Sequence, residues 1–225
     1  MDVIFLSKTA LFRGTTPEEI REMLKCLRAE ERRYRRKEMI FRMGDVVTKI
    51  GLVLSGSVSI ESDDFWGNKT VLDVVGPGQV FAETYACVPG EPLMVNAVAL
   101  EDAGILFLDT GHLLEVCSNA CVYHGKLIRN LLLISSQKNL NLSRRSFFTA
   151  SKSLRSRLLS YLSYQASLAG SGEFLISLNR QQLADYLNVD RSALSNELSK
   201  MQRDGLLSYE RNHFILSKDF QALSS

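Results

Sequence analysis

Apolar residues recur at two different periods along this chain, and each change of period marks a change of structure. Ile20, Met23, Leu24 and Leu27 fall on one face of a helix. Before them, Thr16-Pro17-Glu18-Glu19 reads as a helix start. Thr16 can cap, Pro17 suits the first turn, and Glu19 can reach back to complete a capping box. This helix should fade near Arg28. From Tyr34 to about Asp109 the period becomes two. Short apolar runs at Glu38–Phe41, Ile50–Leu54, Val58–Ile60, Thr70–Val75, Asn96–Leu100 and Gly104–Leu108 alternate with turn signals such as Gly44-Asp45, Ser55-Gly56 and Gly76-Pro77-Gly78. Many short strands at this spacing predict a barrel, sandwich or jelly roll. The basic run Arg32–Lys37 reads as a solvated strand edge, which charge protects from pairing with other chains.

From about Thr110 to Asn141 the pattern is helical. Leu127, Leu131 and Ile134 fall at heptad-like spacing, with Lys138 next in register. They suit either a core helix packed on the strands or one seam of a two-chain coiled coil. Ser143–Ser153, rich in serine and basic residues, reads as a hinge. Leu154, Leu158, Leu159 and Leu162 give a further helix, ending before Gly170-Ser171-Gly172.

The sequence Arg180–Ser199 fits a helix-turn-helix position by position. Ala184 is small where two helices cross, and Asn188 tolerates the left-handed turn. Asp190 can cap the second helix. Leu183, Leu187, Val189, Leu194 and Leu198 supply the buried faces. Arg191, Ser192, Ser195 and Asn196 would then point outward, with donors and acceptors suited to base edges and phosphates. Gly205–Tyr209 and His213–Leu216 form two strands around Glu210-Arg211-Asn212, a hairpin wing.

Length and charge sharpen this division. A chain of 225 residues suits one large or two ordinary domains. The net charge of +2 says little, but it is unevenly placed. Residues 144–225 hold 11 Lys+Arg against 7 Asp+Glu, and residues 1–143 hold 16 against 18. A basic C-terminal third suggests a separate partner for that part. No apolar run reaches the length of a membrane helix, and Asp2 sits where a signal peptide would carry positive charge. A cytoplasmic protein with reduced thiols is expected. No catalytic motif is visible: there is no phosphate-cradling glycine loop, no His-Glu-x-x-His and no serine elbow. Neither an enzyme nor a metal site is expected.

The order of β-roll, long helix, hinge and winged helix-turn-helix resembles the cyclic-AMP receptor protein and fumarate-nitrate regulator (CRP/FNR) family of bacterial transcription factors, over nearly the whole chain. Gly56-Ser57-Val58-Ser59-Ile60 resembles the family's Gly-Ser-Val strand. Gly76-Pro77-Gly78-Gln79-Val80-Phe81-Ala82-Glu83 is similar to its Gly-x-x-Phe-Gly-Glu segment. Arg180-Gln181-Gln182-Leu183-Ala184 matches the start of its helix-turn-helix. The resemblance implies an α+β chain: a cyclic-nucleotide-binding-like β-roll over 1–110, a dimerisation helix over 111–142, a hinge over 143–153 and a DNA-binding winged helix-turn-helix over 154–225. It implies a homodimer joined through Leu127, Leu131 and Ile134, a palindromic double-stranded DNA operator, and RNA polymerase as a partner. Arg180, Gln181, Arg191, Ser192, Ser195, Asn196, Lys200 and Arg211 are the expected DNA contacts. Phe81, Glu83, Leu93, Met94, Leu131 and Lys138 are the expected lining of an effector pocket between roll and helix.

The sequence departs from the family's pattern at several places. Cyclic-AMP-binding members carry an Arg-Ser or Arg-Thr pair about ten residues after the Glu, where this chain has Leu93-Met94. An apolar pair cannot neutralise a phosphate, so cyclic AMP is not the expected effector. Leu93 and Met94 suit core packing or an apolar pocket. Ala82 replaces a glycine. Of Cys26, Cys87, Cys117 and Cys121, only Cys26 falls in the stretch where iron–sulfur members carry a cluster. Cys117 and Cys121 lie one helical turn apart, at ligand-capable spacing, yet the cysteines read first as buried small hydrophobes and only second as a thiol redox switch; neither an iron–sulfur cluster nor haem is expected. Ser192 and Asn196 stand where both well-known branches have Glu and Arg, which predicts a different operator. Three readings remain: a homodimeric DNA-binding regulator controlled by a small effector or redox signal, a β-roll sensor acting through protein partners, and an interaction protein whose helical hairpin binds protein.

Overall fold

Two short helices open the chain in the computed structural model, which describes residues 2–63, 66, 69–114 and 122–217. Helix α1 (Val3–Ser7) starts where the Asp2 carboxylate accepts from the amides of Ile4 (2.9 Å) and Phe5 (3.0 Å). The periodicity gave no sign of so short a helix. Helix α2 (Pro17–Cys26) carries the expected capping box. Thr16 Oγ1 accepts from Glu19 N, and Glu19 Oε2 accepts from Thr16 N. The helix ends at Leu27, before Arg28 turns to a φ of 46°.

Eight strands follow: β1 (Glu30–Tyr34), β2 (Met39–Phe41), β3 (Lys49–Ser55), β4 (Val58–Asp63), β5 (Lys69–Val75), β6 (Val80–Phe81), β7 (Asn96–Ala99) and β8 (Ala103–Asp109). The short helix α3 (Glu83–Ala86) lies between β6 and β7, and α4 (Thr110–Leu114) follows β8. The strands form two antiparallel sheets, ordered β1-β8-β3-β6 and β2-β7-β4-β5. The basic run begins on β1, an edge strand as its charge predicts.

Residue alternation assigns each side chain to one of two cores. Val53, Val58, Val75, Ile105 and Phe107 pack in one cluster together with Phe81. Ile50, Leu52, Leu106 and Leu108 pack in the other, against Leu6, Phe12, Ile20 and Met23 of the N-terminal segment. Strand β8 is buried on both faces, and so reads as a continuous apolar run. Gly56 (φ 71°) closes the β3–β4 turn, where a Cβ would run into the Asp102 carbonyl.

Helix α5 (Val122–Thr149) spans 28 residues. The chain divides into two compact units, Met1–Gln137 and Lys138–Ser225, and the division falls within α5. The expected hinge over 143–153 needs correction: residues 143–149 are helical, and only 150–153 leave the helix. No proline or glycine interrupts that stretch. Thr149 Oγ1 donates to Arg145 O (2.8 Å), and buried Phe148 anchors the last turn. In the second unit, α6 (Leu154–Ala169) runs from a Ser153 cap to Gly170. Strand β9 (Glu173–Leu175), helices α7 (Arg180–Tyr186) and α8 (Arg191–Arg203), and strands β10 (Leu207–Glu210) and β11 (His213–Leu216) complete it. The sheet order β10-β11-β9 adds one strand to the expected hairpin. Its Phe174 is buried and stacks on Phe214 at 6.1 Å.

Candidate nucleic-acid interface

Short local bonds set the helix-turn-helix. Asn179 and Gln182 form a reciprocal capping box at the start of α7, each bond 2.9 Å. Asn188 takes the left-handed turn at φ 54°, as its position in the motif requires. Ala184, Leu183 and Leu187 of the first helix pack with Leu194, Leu198 and Met201 of the second. Asp190 occupies the N-cap of α8, but its carboxylate makes no capping bond, against expectation. The first-turn amides of α8 therefore receive no bond from that side chain.

Two arginines hold the turn from behind. Arg145 donates to the carbonyls of Asp185 (2.9 Å) and Tyr186 (3.1 Å). Arg157 donates to the carbonyls of Leu187 (3.1 Å), Asn188 (3.3 Å) and Ser151 (2.7 Å). Except for that of Ser151, these carbonyls lie at the end of α7, where helix geometry leaves acceptors unpaired and favours cations. Arg155 pairs with Glu197 and Asp204, both at 2.7 Å, and ties α6 to α8. Arg144 lies 5.7 Å from the ring centre of Tyr164. Much of the basic excess of this segment is therefore internal scaffolding.

Several of the remaining cations lie on α8 and the wing. Arg191, Ser192, Asn196 and Lys200 are exposed on α8, and Ser195 is half-buried beside them. Lys200 keeps only a loose 4.0 Å approach to Glu197. Arg203, seven residues beyond Asn196, is exposed on the same helical face. The sequence reading missed it, although the i, i+7 spacing from Asn196 could have found it. Arg211 is exposed at the tip of the β10–β11 hairpin, at φ 54°. Gln181 is exposed on α7, and its amide donates to Asp185 Oδ1 at 2.8 Å. Arg180 differs from the rest. Its Nη2 donates to Arg211 O at 3.0 Å, and its guanidinium lies 4.9 Å from the ring centre of Tyr209. Burial lowers this guanidinium from its ordinary value, although an arginine remains charged.

The residues expected to line an effector pocket stand in different surroundings, with Leu93 and Leu131 sharing one core cluster. Phe81 is buried, 5.9 Å from Phe41, which in turn lies 5.6 Å from Phe107. The Phe81 ring presses on Gly51 so closely that a Cβ there would overlap it. Glu83 is buried at the start of α3, and Leu93 belongs to the core against the N-terminal segment. Met94 points to solvent at 71% exposure, and so serves neither core nor pocket. Lys138 belongs to the second unit. An open cleft of about 580 Å³ lies elsewhere, at the ends of β1, β3 and β8, lined by Arg33, Arg35, Glu38, Leu54, Asp102 and Gly104. Its carboxylates brace the following turn: Glu38 accepts from Arg35 N and Asp102 from Arg36 N, both at 2.8 Å.

Two of the three expected seam residues turn inward in the single chain. Leu127 and Leu131 are buried in the first unit's own core, and Ile134 packs against that core. Neighbouring contacts fix this orientation. Asn130 Nδ2 donates to the carbonyls of Leu11 and Arg13, and Lys126 pairs with Glu19 at 2.9 Å. The apolar side chains left exposed on this part of α5 are Ile128, Leu132 and Leu133.

Cys26 and Cys87 are both half-buried. Burial, and then the charge of Glu83, pushes the Cys87 thiol up. Cys117 and Cys121 lie outside the described residues. Among the described residues, no group of three or more His, Cys, Asp or Glu could hold a metal ion. No described helix is long and apolar enough to cross a membrane.

Two family models match the chain: a cyclic nucleotide-binding domain over residues 31–120 and a Crp-like helix-turn-helix domain over residues 156–225. The cyclic AMP receptor protein of Thermus thermophilus is 27% identical over 197 residues, covering 88% of this chain and 87% of that protein. The crystal structure of the Thermus thermophilus catabolite activator protein aligns with a TM-score of 0.51 at 24% identity, over 96% of this chain and 98% of the other. CprK complexed with OCPA aligns with a TM-score of 0.61 at 14% identity, over 88% and 91%. These two likenesses concern the fold.

Proposed function

Because the chain belongs to the CRP/FNR family of transcription regulators, we propose that it acts in the cytoplasm as a homodimer reading a palindromic operator, with one α8 in the major groove of each half-site. The observation that carries this reading is the surface formed by α8 and the wing tip. Arg191, Ser192, Asn196, Lys200 and Arg211 are exposed there, while the arginines behind them are committed to protein carbonyls and carboxylates. Arg191 suits a guanine edge, and Asn196 an adenine edge. Lys200, Arg203 and Arg211 suit phosphates.

The reading places the two copies together through the exposed face of α5. Gly125, Ile128 and Leu132 succeed one another at three- and four-residue steps, and a Cβ at Gly125 would meet open space. A small residue beside two apolar ones lets helices approach closely. The signal is a small effector or a redox change that shifts the population of DNA-competent dimers. RNA polymerase is the partner through which transcription would respond.

Cyclic AMP does not fit this chain. Leu93 and Met94 provide no cation for a phosphate, and one is in a core while the other is in solvent. Phe41, Phe81 and Phe107 are already packed together in the β-roll. The effector is therefore of another kind.

Selection of bound fragments from random DNA, followed by gel shifts at two salt concentrations, tests the reading. A palindromic site with steeply salt-dependent binding is expected. The absence of selective binding at low salt, with and without cell extract, would overturn it.

A further inference from the structure

We propose that Arg180 is a positioning residue for the wing, and that it acts on DNA only through Arg211; this rests on the reading of α8 and the wing as the DNA surface. Arg180 opens α7, and its side chain crosses to the hairpin. Its Nη2 donates to the carbonyl of Arg211 at 3.0 Å. Its guanidinium carbon lies 4.9 Å from the ring centre of Tyr209 and 6.0 Å from that of Phe214. Tyr209 continues the chain of contacts. Its hydroxyl meets Ser199 Oγ at 3.3 Å, and Ser199 donates to the carbonyl of Ser195 at 2.9 Å on the recognition helix. Through Tyr209 and Ser199, the Arg180 side chain thus connects the start of α7 and the wing to the backbone of α8.

Arg211 needs such a support. It is not glycine, yet it holds φ 54°, in the left-handed region. Such a conformation persists only where its surroundings over-determine it. The bond from Arg180 is made to the carbonyl of that same residue. Asn212 braces the next position, its amide donating to Ile176 O at 2.9 Å. With its carbonyl and the next residue held, the exposed Arg211 side chain is presented from a fixed point. A half-buried guanidinium that lies on a ring and has given a donor to a carbonyl is held in place by the wing. Lysine cannot reproduce the arrangement, because it has neither the plane nor the divergent donors.

The test compares Arg180→Lys, Arg211→Ala and the double variant on the selected operator, across a salt series. Positioning predicts that Arg180→Lys, although its charge is kept, weakens binding about as much as Arg211→Ala, roughly tenfold. It also predicts that each lowers the salt slope by about one per half-site, and that the double variant is no worse than either alone. Wild-type affinity in Arg180→Lys, or losses that multiply in the double variant, would show a direct phosphate contact and overturn the proposal. A second measurement needs no DNA. Amide resonances of Glu210, Arg211 and Asn212 should shift in free Arg180→Lys while those of α8 and the melting temperature hold. Unmoved wing amides would refute the positioning role. Failure of the wild-type chain to bind any operator would count against the DNA reading, and the amide measurement would still judge Arg180.

Discussion

Replacing Leu132 by glutamate tests which face of α5 joins two copies. Leu132 is 64% exposed in the single chain, while Leu131 beside it is 6% exposed. Fully burying a leucine contributes about 1.5–3 kcal/mol. Covering the exposed two-thirds of Leu132 then contributes roughly 1–2 kcal/mol per chain, and about twice that in a symmetric pair. Glutamate forfeits this contribution and sets two like charges near the twofold axis. The dimer dissociation constant should rise about a hundredfold or more, since roughly 2.7 kcal/mol is a factor of one hundred. Sedimentation velocity over a nanomolar to micromolar range would read the change, with circular dichroism confirming that the chain stays folded. Leu131→Ala is the counterpart. It opens a cavity in the chain's own core, which costs about 2–5 kcal/mol, so it should lower the melting temperature. The assignment of faces fails if Leu132→Glu leaves the dissociation constant unchanged while Leu131→Ala separates the copies without loss of melting temperature.

Three other expectations follow from single sites. Ala82 sits at φ 61°, ψ 7° before α3, so Ala82→Gly should raise the unfolding free energy by up to about 1 kcal/mol, the left-handed cost to alanine less the entropy of glycine, and with it the urea midpoint; a lowered midpoint would show that the methyl group is needed for packing. Asn179→Ala should cost about 1 kcal/mol because its cap is made, whereas Asp190→Ala should stay within about 0.5 kcal/mol because its cap is not; equal losses would contradict the cap geometry. The Glu30 carboxyl is held at about 2, below the ordinary 4.5, first by Arg32 and then by Lys49. A depressed carboxylate contributes stability that is whole above its ordinary value and is lost as pH falls through about 2. Carbon-detected titration of Glu30 should show that low midpoint, and a midpoint near 4.5 would mean that the ion pairs are not formed in solution.

The parts that the sequence made legible are those whose causes are local. The α2 capping box, the left-handed Asn188 and the small Ala184 each depend on a few neighbours, and all three stand where the motif reading puts them. The orientation of α5 was not legible in this way. Leu127, Leu131 and Ile134 satisfy a heptad equally well against a core or against a second helix. The choice is made by distant groups, the carbonyls of Leu11 and Arg13 and the carboxylate of Glu19. The hinge was misread because serine and arginine suggest solvent, whereas Arg145 and Phe148 bind the end of α5 into the second unit's fold. The charge excess had the right location but only part of its expected cause. Arg145, Arg155, Arg157 and Arg180 are bonded to the protein itself.

Strand β8 has a thermodynamic consequence. Leu106 and Leu108 belong to one core, Ile105 and Phe107 to the other, and consecutive residues of a single strand form the wall between them. Neither core can loosen without moving a backbone that the other also grips. The two should therefore melt as one cooperative block, and the slowest-exchanging amides of the first unit should lie on β8. A cavity cut on one side of the strand would then be felt as lost protection on the other.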